Sequence, residues 1–85
     1  NPLNDEAMAN LGAALRLRRR YPESIATSKA AIALNGRLEA AYSNLGLAYA
    51  ETGERRKALD AFRQVLAINP SNVPANSMVK RLEER

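Results

Sequence analysis

Apolar residues recur along the chain at intervals of three and four, a spacing that predicts helices and not strands. The first such segment runs from Asp5 to about Arg18. Its apolar side chains fall on one face, which predicts an amphipathic helix: Met8, Leu11, Ala14 and Leu15. The same pattern predicts four further helices at residues 21–35, 39–52, 55–68 and 73–84. No segment alternates with period two, so we expect an all-α fold.

Local residues set the expected helix ends. Asn4 can cap the first helix, and Ser71 or Asn72 the fifth, because their side chains accept hydrogen bonds from first-turn N–H groups. Gly36 is expected to end the second helix, and Gly53 to form the turn before the fourth. The chain is thus divided into short helices joined by tight turns.

The chain repeats itself with a period of 34 residues. Asn10-Leu11-Gly12 aligns with Asn44-Leu45-Gly46, and Asn1-Pro2 aligns two periods later with Asn69-Pro70. Gly12 and Gly46 lie inside predicted helices, where glycine costs about 1 kcal/mol relative to alanine. The same cost at the same place in both repeats indicates that two helices cross there. A fixed period of this size is typical of repeat arrays, which present surface to partners.

The second unit, residues 39–72, resembles the tetratricopeptide repeat at Tyr42, Leu45, Gly46, Tyr49, Gly53, Ala58, Phe62 and Pro70. It departs at Val65, where the family usually has a small Ala. The first unit, residues 5–38, is a degraded copy that keeps Met8, Leu11, Gly12, Leu15 and Ala31. In it Arg19 replaces the turn glycine, Ser24 and Ser28 replace an Ala and an aromatic, and Gly36 replaces the proline.

This resemblance implies a right-handed antiparallel helix-hairpin solenoid of five helices, and it covers residues 1–85 as a single domain. Residues 1–4 are then interpreted as the end of a preceding repeat, and 73–85 as a C-terminal capping helix. In the capping helix Val79 and Leu82 are expected to face the second hairpin, and Arg85 is expected to point outward. We expect the chain to be a fragment with about two and a half repeats.

Composition argues against catalysis. The chain has no Cys and no His, so it offers no disulfide, no Cys or His metal ligand and no imidazole base. Its carboxylates lie mostly at predicted helix ends or on polar faces, and its glycines are too isolated for a phosphate loop. The sequence therefore predicts a protein that is not an enzyme and has no cofactor.

The sequence has no run of eighteen apolar residues and does not begin with a charged region followed by an apolar one, so we expect neither a transmembrane helix nor a signal peptide within these residues. The sequence does not indicate the cellular compartment of the protein, and we take the cytoplasm as the default.

The family resemblance implies a concave groove lined by the first helix of each hairpin. Translated to this chain, the expected lining, here called the groove face, consists of Glu6, Ala9, Asn10, Ala13, Arg16, Leu17, Ala40, Ser43, Asn44, Leu47, Ala50 and Glu51. The fifth helix is expected to continue it with Pro74, Ser77, Met78, Arg81 and Glu84. Asn10 and Asn44 are one repeat apart, and their amides can bind the backbone of an extended peptide. The alternative is that these amides are solvated or bond to neighbouring helices.

One specialised site of the family is not expected here. The tetratricopeptide clamps that hold the carboxylate tail of heat-shock chaperones have basic residues and a second asparagine where this chain has Ala9, Ala13, Pro74 and Met78. Only Asn44 matches, so the sequence argues against a clamp.

Basic residues cluster at the two turns inside the hairpins, and we call this set the basic edge: Arg16, Arg18, Arg19, Arg20, Arg55, Arg56 and Lys57. The leading hypothesis is an interaction module that holds a peptide or a partner helix in the groove. Two alternatives stay open: self-assembly into a homo-oligomer, and a basic scaffold that contacts an anionic surface. A net charge of +4 without interleaved aromatics argues against nucleic acid.

Overall fold

The computed structural model describes residues 4–84. It contains five helices: α1 Asp5–Leu17, α2 Tyr21–Leu34, α3 Glu39–Glu51, α4 Arg55–Ile68 and α5 Val73–Glu83. No strand occurs in this range, and every helix end lies within one residue of its expected position. The all-α prediction is confirmed. The expectations for Asn1-Pro2 and Arg85 lie outside the described residues.

The helix ends follow the predicted caps with one exception. Asn4 Oδ1 accepts the N–H of Ala7, and Asn72 Oδ1 accepts the N–H of Ala75, each at 2.9 Å. Asn72 is therefore the cap of α5. The expectation that Gly36 ends α2 is wrong in its mechanism, because Gly36 lacks the positive φ of a helix-ending glycine and the extended Asn35 is the C-cap.

The turns inside the two hairpins share a backbone conformation although their sequences differ. Gly53 has φ 82°, and Arg19, one period earlier, has φ 64°. The left-handed region costs an L-residue roughly 1–2 kcal/mol, a cost that glycine avoids. The first hairpin therefore keeps the family's turn geometry but bears strain at Arg19.

The helices pair into two stacked hairpins, α1 with α2 and α3 with α4, and α5 lies against α4. Each hairpin is closed at its open end by the same hydrogen bond, one period apart. Asn35 donates to the Asp5 carboxylate at 2.9 Å, and Asn69 donates to Glu39 at 3.2 Å. The bond from Asn35 lowers the pKa of Asp5 below its ordinary value of 3.8. Because the pKa of Asp5 is lower in the folded state than in the unfolded chain, its ionised carboxylate stabilises the fold above pH 3.8. This stabilisation is lost as the pH falls through the lower, folded-state pKa.

At the two helical glycines the helices of each hairpin come close enough that an added Cβ would clash with the opposite helix. A Cβ at Gly12 would be 2.7 Å from Ser28 Oγ, and one at Gly46 would be 2.8 Å from two ring carbons of Phe62. Both distances are shorter than a real side chain tolerates. The packing expected from the repeated glycines is confirmed.

Burial differs from the simplest expectation for the first hairpin. Only two of the four periodic apolar residues of α1 turn inward: Met8 and Leu15 are half-buried, whereas Leu11 is 52% exposed and Ala14 is also exposed. The buried residues of α1 are Ala9 and Gly12, because the close approach of α2 admits only small side chains. The main core lies in the second hairpin and includes Leu45, Tyr49, Phe62 and Val65, with Ala75 of α5. Val79 and Leu82 pack against it as expected.

Ser24 and Ser28 replace the family's apolar residues on α2 and are fully buried. Ser24 Oγ donates to the carbonyl oxygen of Gly12 at 2.7 Å. Ser28 Oγ has no hydrogen-bond partner among residues 4–84. A buried polar group without a partner is destabilising, whereas a bonded one is not. Hence the hydroxyl of Ser24 stabilises the fold, whereas the hydroxyl of Ser28 destabilises it.

We therefore predict opposite effects for the same substitution at these two positions. Ser28→Ala removes an unsatisfied hydroxyl and should raise the free energy of unfolding by about 1 kcal/mol, whereas Ser24→Ala loses a hydrogen bond and should lower it by about 1 kcal/mol. Both variants gain the same helix propensity, so their difference isolates the hydrogen bonding. Urea unfolding followed by circular dichroism measures it. Equal shifts in the two variants would contradict this account of the first hairpin.

Candidate functional site

All but one residue of the predicted groove face are at least partly exposed. Glu6, Asn10, Leu17, Ala40 and Glu51 are exposed. The half-buried members are Ala13, Arg16, Ser43, Asn44, Leu47 and Ala50. Because α1 contacts α3, these residues belong to two neighbouring helices. A ligand could therefore touch both helices at once.

Ala9 is a correction to the predicted groove face. It is only 2% exposed and packs in a small cluster with Ala31 and Ala41, where α1, α2 and α3 meet. No ligand can reach its side chain in this arrangement. Its small size serves the packing of the two hairpins.

The two groove asparagines have different environments although they occupy equivalent repeat positions. Asn44 is half-buried, and its Nδ2 donates to the carbonyl oxygen of Ala9 at 2.7 Å, which ties α3 to α1. Asn10 is exposed, and its side chain makes no hydrogen bond within the described part of the chain. The alternative that the amides bond to neighbouring helices therefore holds for Asn44. Asn10 keeps its whole amide for a ligand.

A second polar contact joins α1 to α3 at their C-terminal ends. Arg16 and Glu51 form an ion pair at 2.7 Å, and the Arg16 side chain is only 17% exposed. Tyr21 lies beside this pair; burial raises its pKa, and a hydrogen bond to Glu51 raises it further. Arg16 and Glu51 therefore brace the stack of hairpins, so they are less available to a ligand than the sequence suggested.

A concave feature next to the groove face lies between α3 and α5. It is a cleft of about 460 Å³ lined by Ala50, Met78, Arg81, Leu82 and Glu84. Four of these residues were expected in the groove, and Leu82 was not. Pro74 and Ser77, also expected there, are exposed on α5 but do not line this cleft. The combination of Met78, Leu82 and the charged rim suits an apolar side chain flanked by polar groups.

The basic edge is largely engaged in contacts within the protein. Arg16 pairs with Glu51, and Arg20 pairs with Glu23 through two bonds of 2.7 and 2.8 Å. Arg55 donates to the carbonyl oxygen of Leu82 at 2.8 Å. Lys57 lies over the Tyr49 ring, with Nζ 5.7 Å from the centroid.

The side chains of three members make no ion pair, hydrogen bond or cation–π contact within residues 4–84: Arg18, Arg19 and Arg56. The basic edge therefore attracts an anionic surface less strongly than the number of its basic residues implies.

One further cleft lies between α2 and α4, away from the groove face, and the sequence did not indicate it. It measures about 360 Å³ and is lined by Lys29, Tyr42, Leu45, Tyr49, Lys57, Asp60, Ala61 and Gln64. Its polar rim comes from α2 and α4, which are far apart in sequence. Only the stacking of the hairpins brings these residues together.

No cluster of acidic side chains among residues 4–84 could hold a metal ion. No helix in that range is long and apolar enough to cross a bilayer. The surface supplies amide, guanidinium and apolar groups, which are suited to binding a polypeptide. Two stacked helical hairpins with a terminal helix and such a face define an interaction module of the repeat-solenoid class.

Comparison with known proteins identifies the repeat. The sequence profile of the tetratricopeptide repeat matches residues 39–72. Residues 39–72 are a tetratricopeptide repeat, and the chain has the fold of tetratricopeptide-repeat domains. No curated protein sequence matches it.

Solved structures of this fold superimpose closely. The crystal structure of MamA has a TM-score of 0.94 and 31% identity; the match covers 99% of this chain and 49% of MamA. The Arabidopsis OM64 tetratricopeptide-repeat domain has a TM-score of 0.95 and 25% identity over 100% of this chain and 70% of that one. The second such domain of human RPAP3, in complex with the HSP70 peptide SGPTIEEVD, has a TM-score of 0.91 and 25% identity over 100% and 71%. The present chain thus spans about half of MamA.

The unequal asparagines lead to a stability prediction. Asn44→Ala removes the bond to Ala9 and should lower the free energy of unfolding by about 1 kcal/mol. Asn10→Ala, the same change one period earlier at an exposed position, should alter it by no more than about 0.5 kcal/mol. Urea unfolding of both variants measures the difference. If the two variants are equally stable, Asn44 does not couple the hairpins.

Proposed function

We propose that this chain binds an extended peptide segment of a partner protein along the groove face, from Asn10 on α1 to the cleft beside Met78 on α5. The observation that carries the proposal is the exposed, unused amide of Asn10; the cleft beside Met78 supports it, because its lining includes Ala50, another member of the predicted groove face. A peptide backbone supplies the donors and acceptors that an amide satisfies. An apolar side chain of the same peptide would fill the cleft.

The similar structures support the class of ligand. The second tetratricopeptide-repeat domain of human RPAP3 has this fold and is bound to an HSP70 peptide. This chain has Ala9, Ala13, Pro74 and Met78 where a carboxylate clamp has polar or basic groups, and Ala9 is buried. We therefore propose a ligand held by its backbone and one apolar side chain and not by a terminal carboxylate.

The basic-edge alternative has less support. Four of its seven members engage groups of this chain, and the ion pairs to Glu51 and Glu23 neutralise two of the arginines. Binding to an anionic surface would have to depend mainly on Arg18, Arg19 and Arg56. Such binding weakens steeply with salt, whereas neutral groove contacts do not.

A peptide-binding experiment tests the proposal. A random peptide library is selected against the chain, and the strongest binder is titrated by fluorescence anisotropy. Asn10→Ala should weaken binding about 3- to 10-fold through one lost neutral hydrogen bond. Met78→Ala should weaken it about 10-fold through lost apolar burial. The peptide SGPTIEEVD should bind much more weakly than the selected peptide because the clamp residues are missing.

Two control variants separate the alternatives. Lys29→Ala, in the cleft between α2 and α4, should leave the affinity unchanged. Arg18→Ala combined with Arg19→Ala should also leave it unchanged at low and high salt. Full affinity in the Asn10→Ala, Met78→Ala double variant would refute the groove proposal, and a loss confined to the arginine variant would favour the basic edge.

A further inference from the structure

The two hairpins differ in chemistry at the residue that follows the closing asparagine. Asn35 precedes Gly36, and no other asparagine of the chain precedes a glycine. An asparagine side chain can react with the backbone nitrogen of the next residue, most easily when that residue is glycine, because no Cβ hinders the approach. One period later Asn69 precedes Pro70, which has no N–H and cannot react in this way. Only the first hairpin therefore has a reactive pair at this place.

The structure holds the Asn35 side chain away from this reaction. Its Nδ2 donates to Asp5 Oδ2 at 2.9 Å, and its Oδ1 accepts the N–H of Arg37 at 3.0 Å. Because ψ of Asn35 is 99°, the nitrogen of Gly36 lies roughly opposite to the Asn35 Cβ about the Cα–C bond, so it does not reach the side-chain carbon. The reaction therefore requires this segment to open and the bond to Asp5 to break.

The open end of the first hairpin depends on fewer side-chain hydrogen bonds than that of the second. Glu39 accepts from both Asn69 and Asn72, at 3.2 and 3.1 Å. Among the side chains of residues 4–84, Asp5 accepts from the amide of Asn35 alone. The residue one period before Asn72 is a leucine, which has no donor to offer. Segments held by fewer bonds open more often, so the first hairpin should open more readily here.

We propose that Asn35 is a site of spontaneous deamidation, protected while the first hairpin is closed. When the segment opens, the backbone nitrogen of Gly36 bonds to Cγ of Asn35, and the bond from Cγ to the amide nitrogen breaks. That nitrogen takes up the backbone proton and leaves as ammonia. Water then adds to either carbonyl carbon of the cyclic imide and opens it to aspartate or isoaspartate. The only co-reactant is water, and no electrons are gained or lost.

The product does not restore the closed end. A carboxylate at residue 35 replaces the donor that now lies 2.9 Å from Asp5 Oδ2, so two negative charges would face each other. The hydrogen bond that lowers the pKa of Asp5 is lost at the same time. Isoaspartate also lengthens the backbone at the C-cap of α2. The modification therefore makes an opening of the first hairpin permanent.

Peptide mapping by mass spectrometry after long incubation at mildly alkaline pH tests the proposal. The segment that contains Asn35 should gain the mass difference between an amide and an acid and should contain isoaspartate, whereas Asn69 should stay unmodified. Gly36→Ala should slow the reaction several-fold because a Cβ hinders the attack. The fold tolerates this change, since the added Cβ meets its nearest atom at 3.9 Å. An unmodified Asn35, or equal modification of Asn69, would overturn the proposal.

Two variants one period apart test the protection. Asp5→Ala removes the bond that closes the first hairpin and should accelerate the modification of Asn35 several-fold. Glu39→Ala is the equivalent change in the second hairpin and should leave that rate unchanged. Circular dichroism confirms that both variants stay folded. An unchanged rate in Asp5→Ala would contradict the protection, and equal acceleration by both variants would show that global unfolding, and not local opening, exposes Asn35.

An exchange of amide and carboxylate tests the effect of the product. Asn35→Asp introduces the aspartate directly and should lower the urea concentration at the unfolding midpoint. Adding Asp5→Asn to the same chain lets the bond form in the opposite direction, so the double variant should recover most of the loss. If Asn35→Asp is as stable as the unchanged chain, or if the double variant does not recover, the two carboxylates do not oppose each other as proposed.

Discussion

The close approach of the two helices in each hairpin determines most of the structure. It requires glycine at Gly12 and Gly46, where a Cβ would lie less than 3 Å from the opposite helix. With the helices this close, small residues such as Ala9 and Ala31 fill the junction between hairpins. Stacking is thus a consequence of tight pairing, because each hairpin leaves apolar surface that only another helical layer can cover.

The two hairpins meet this constraint differently. In the second, Phe62 packs against Gly46, Gly53 forms the turn and a large core surrounds Leu45. In the first, Ser28 occupies the aromatic position without a hydrogen-bond partner, and Arg19 occupies the left-handed turn. The second hairpin therefore supplies most of the stability, whereas the first presents exposed groups: the amide of Asn10 and the side chain of Leu11.

Local features of the sequence were sufficient to predict the helices. Caps such as Asn4 and Asn72, and the turn at Gly53, depend on residues a few positions apart, so every helix end falls within one residue of its expected place. The close helix contacts at Gly12 and Gly46 were predictable because glycine, which destabilises a helix, recurs at the same position after one period.

Burial and side-chain partners were less predictable, because they depend on which layer lies next to each residue. Leu11 and Leu45 are equivalent in sequence, yet one is 52% and the other 8% exposed. For the same reason Asn44 bonds to Ala9 whereas Asn10 does not bond at all within the described residues. One signal was overlooked: Asn44 with Ala9, and Glu51 with Arg16, are each separated by 35 residues, one more than the period. An offset of 35 residues thus relates residues that contact each other in the first helices of two adjacent hairpins.

The fold depends on the tight crossing at Gly46, and chemical unfolding of two glycine variants measures that dependence. Gly46→Leu places a side chain against the Phe62 ring and should lower the free energy of unfolding by about 1–3 kcal/mol or more. Gly36→Leu introduces the same side chain at an exposed turn, where a Cβ would meet its nearest atom at 3.9 Å, and should change it by no more than about 0.5 kcal/mol. Similar losses of stability in the two variants would contradict the account.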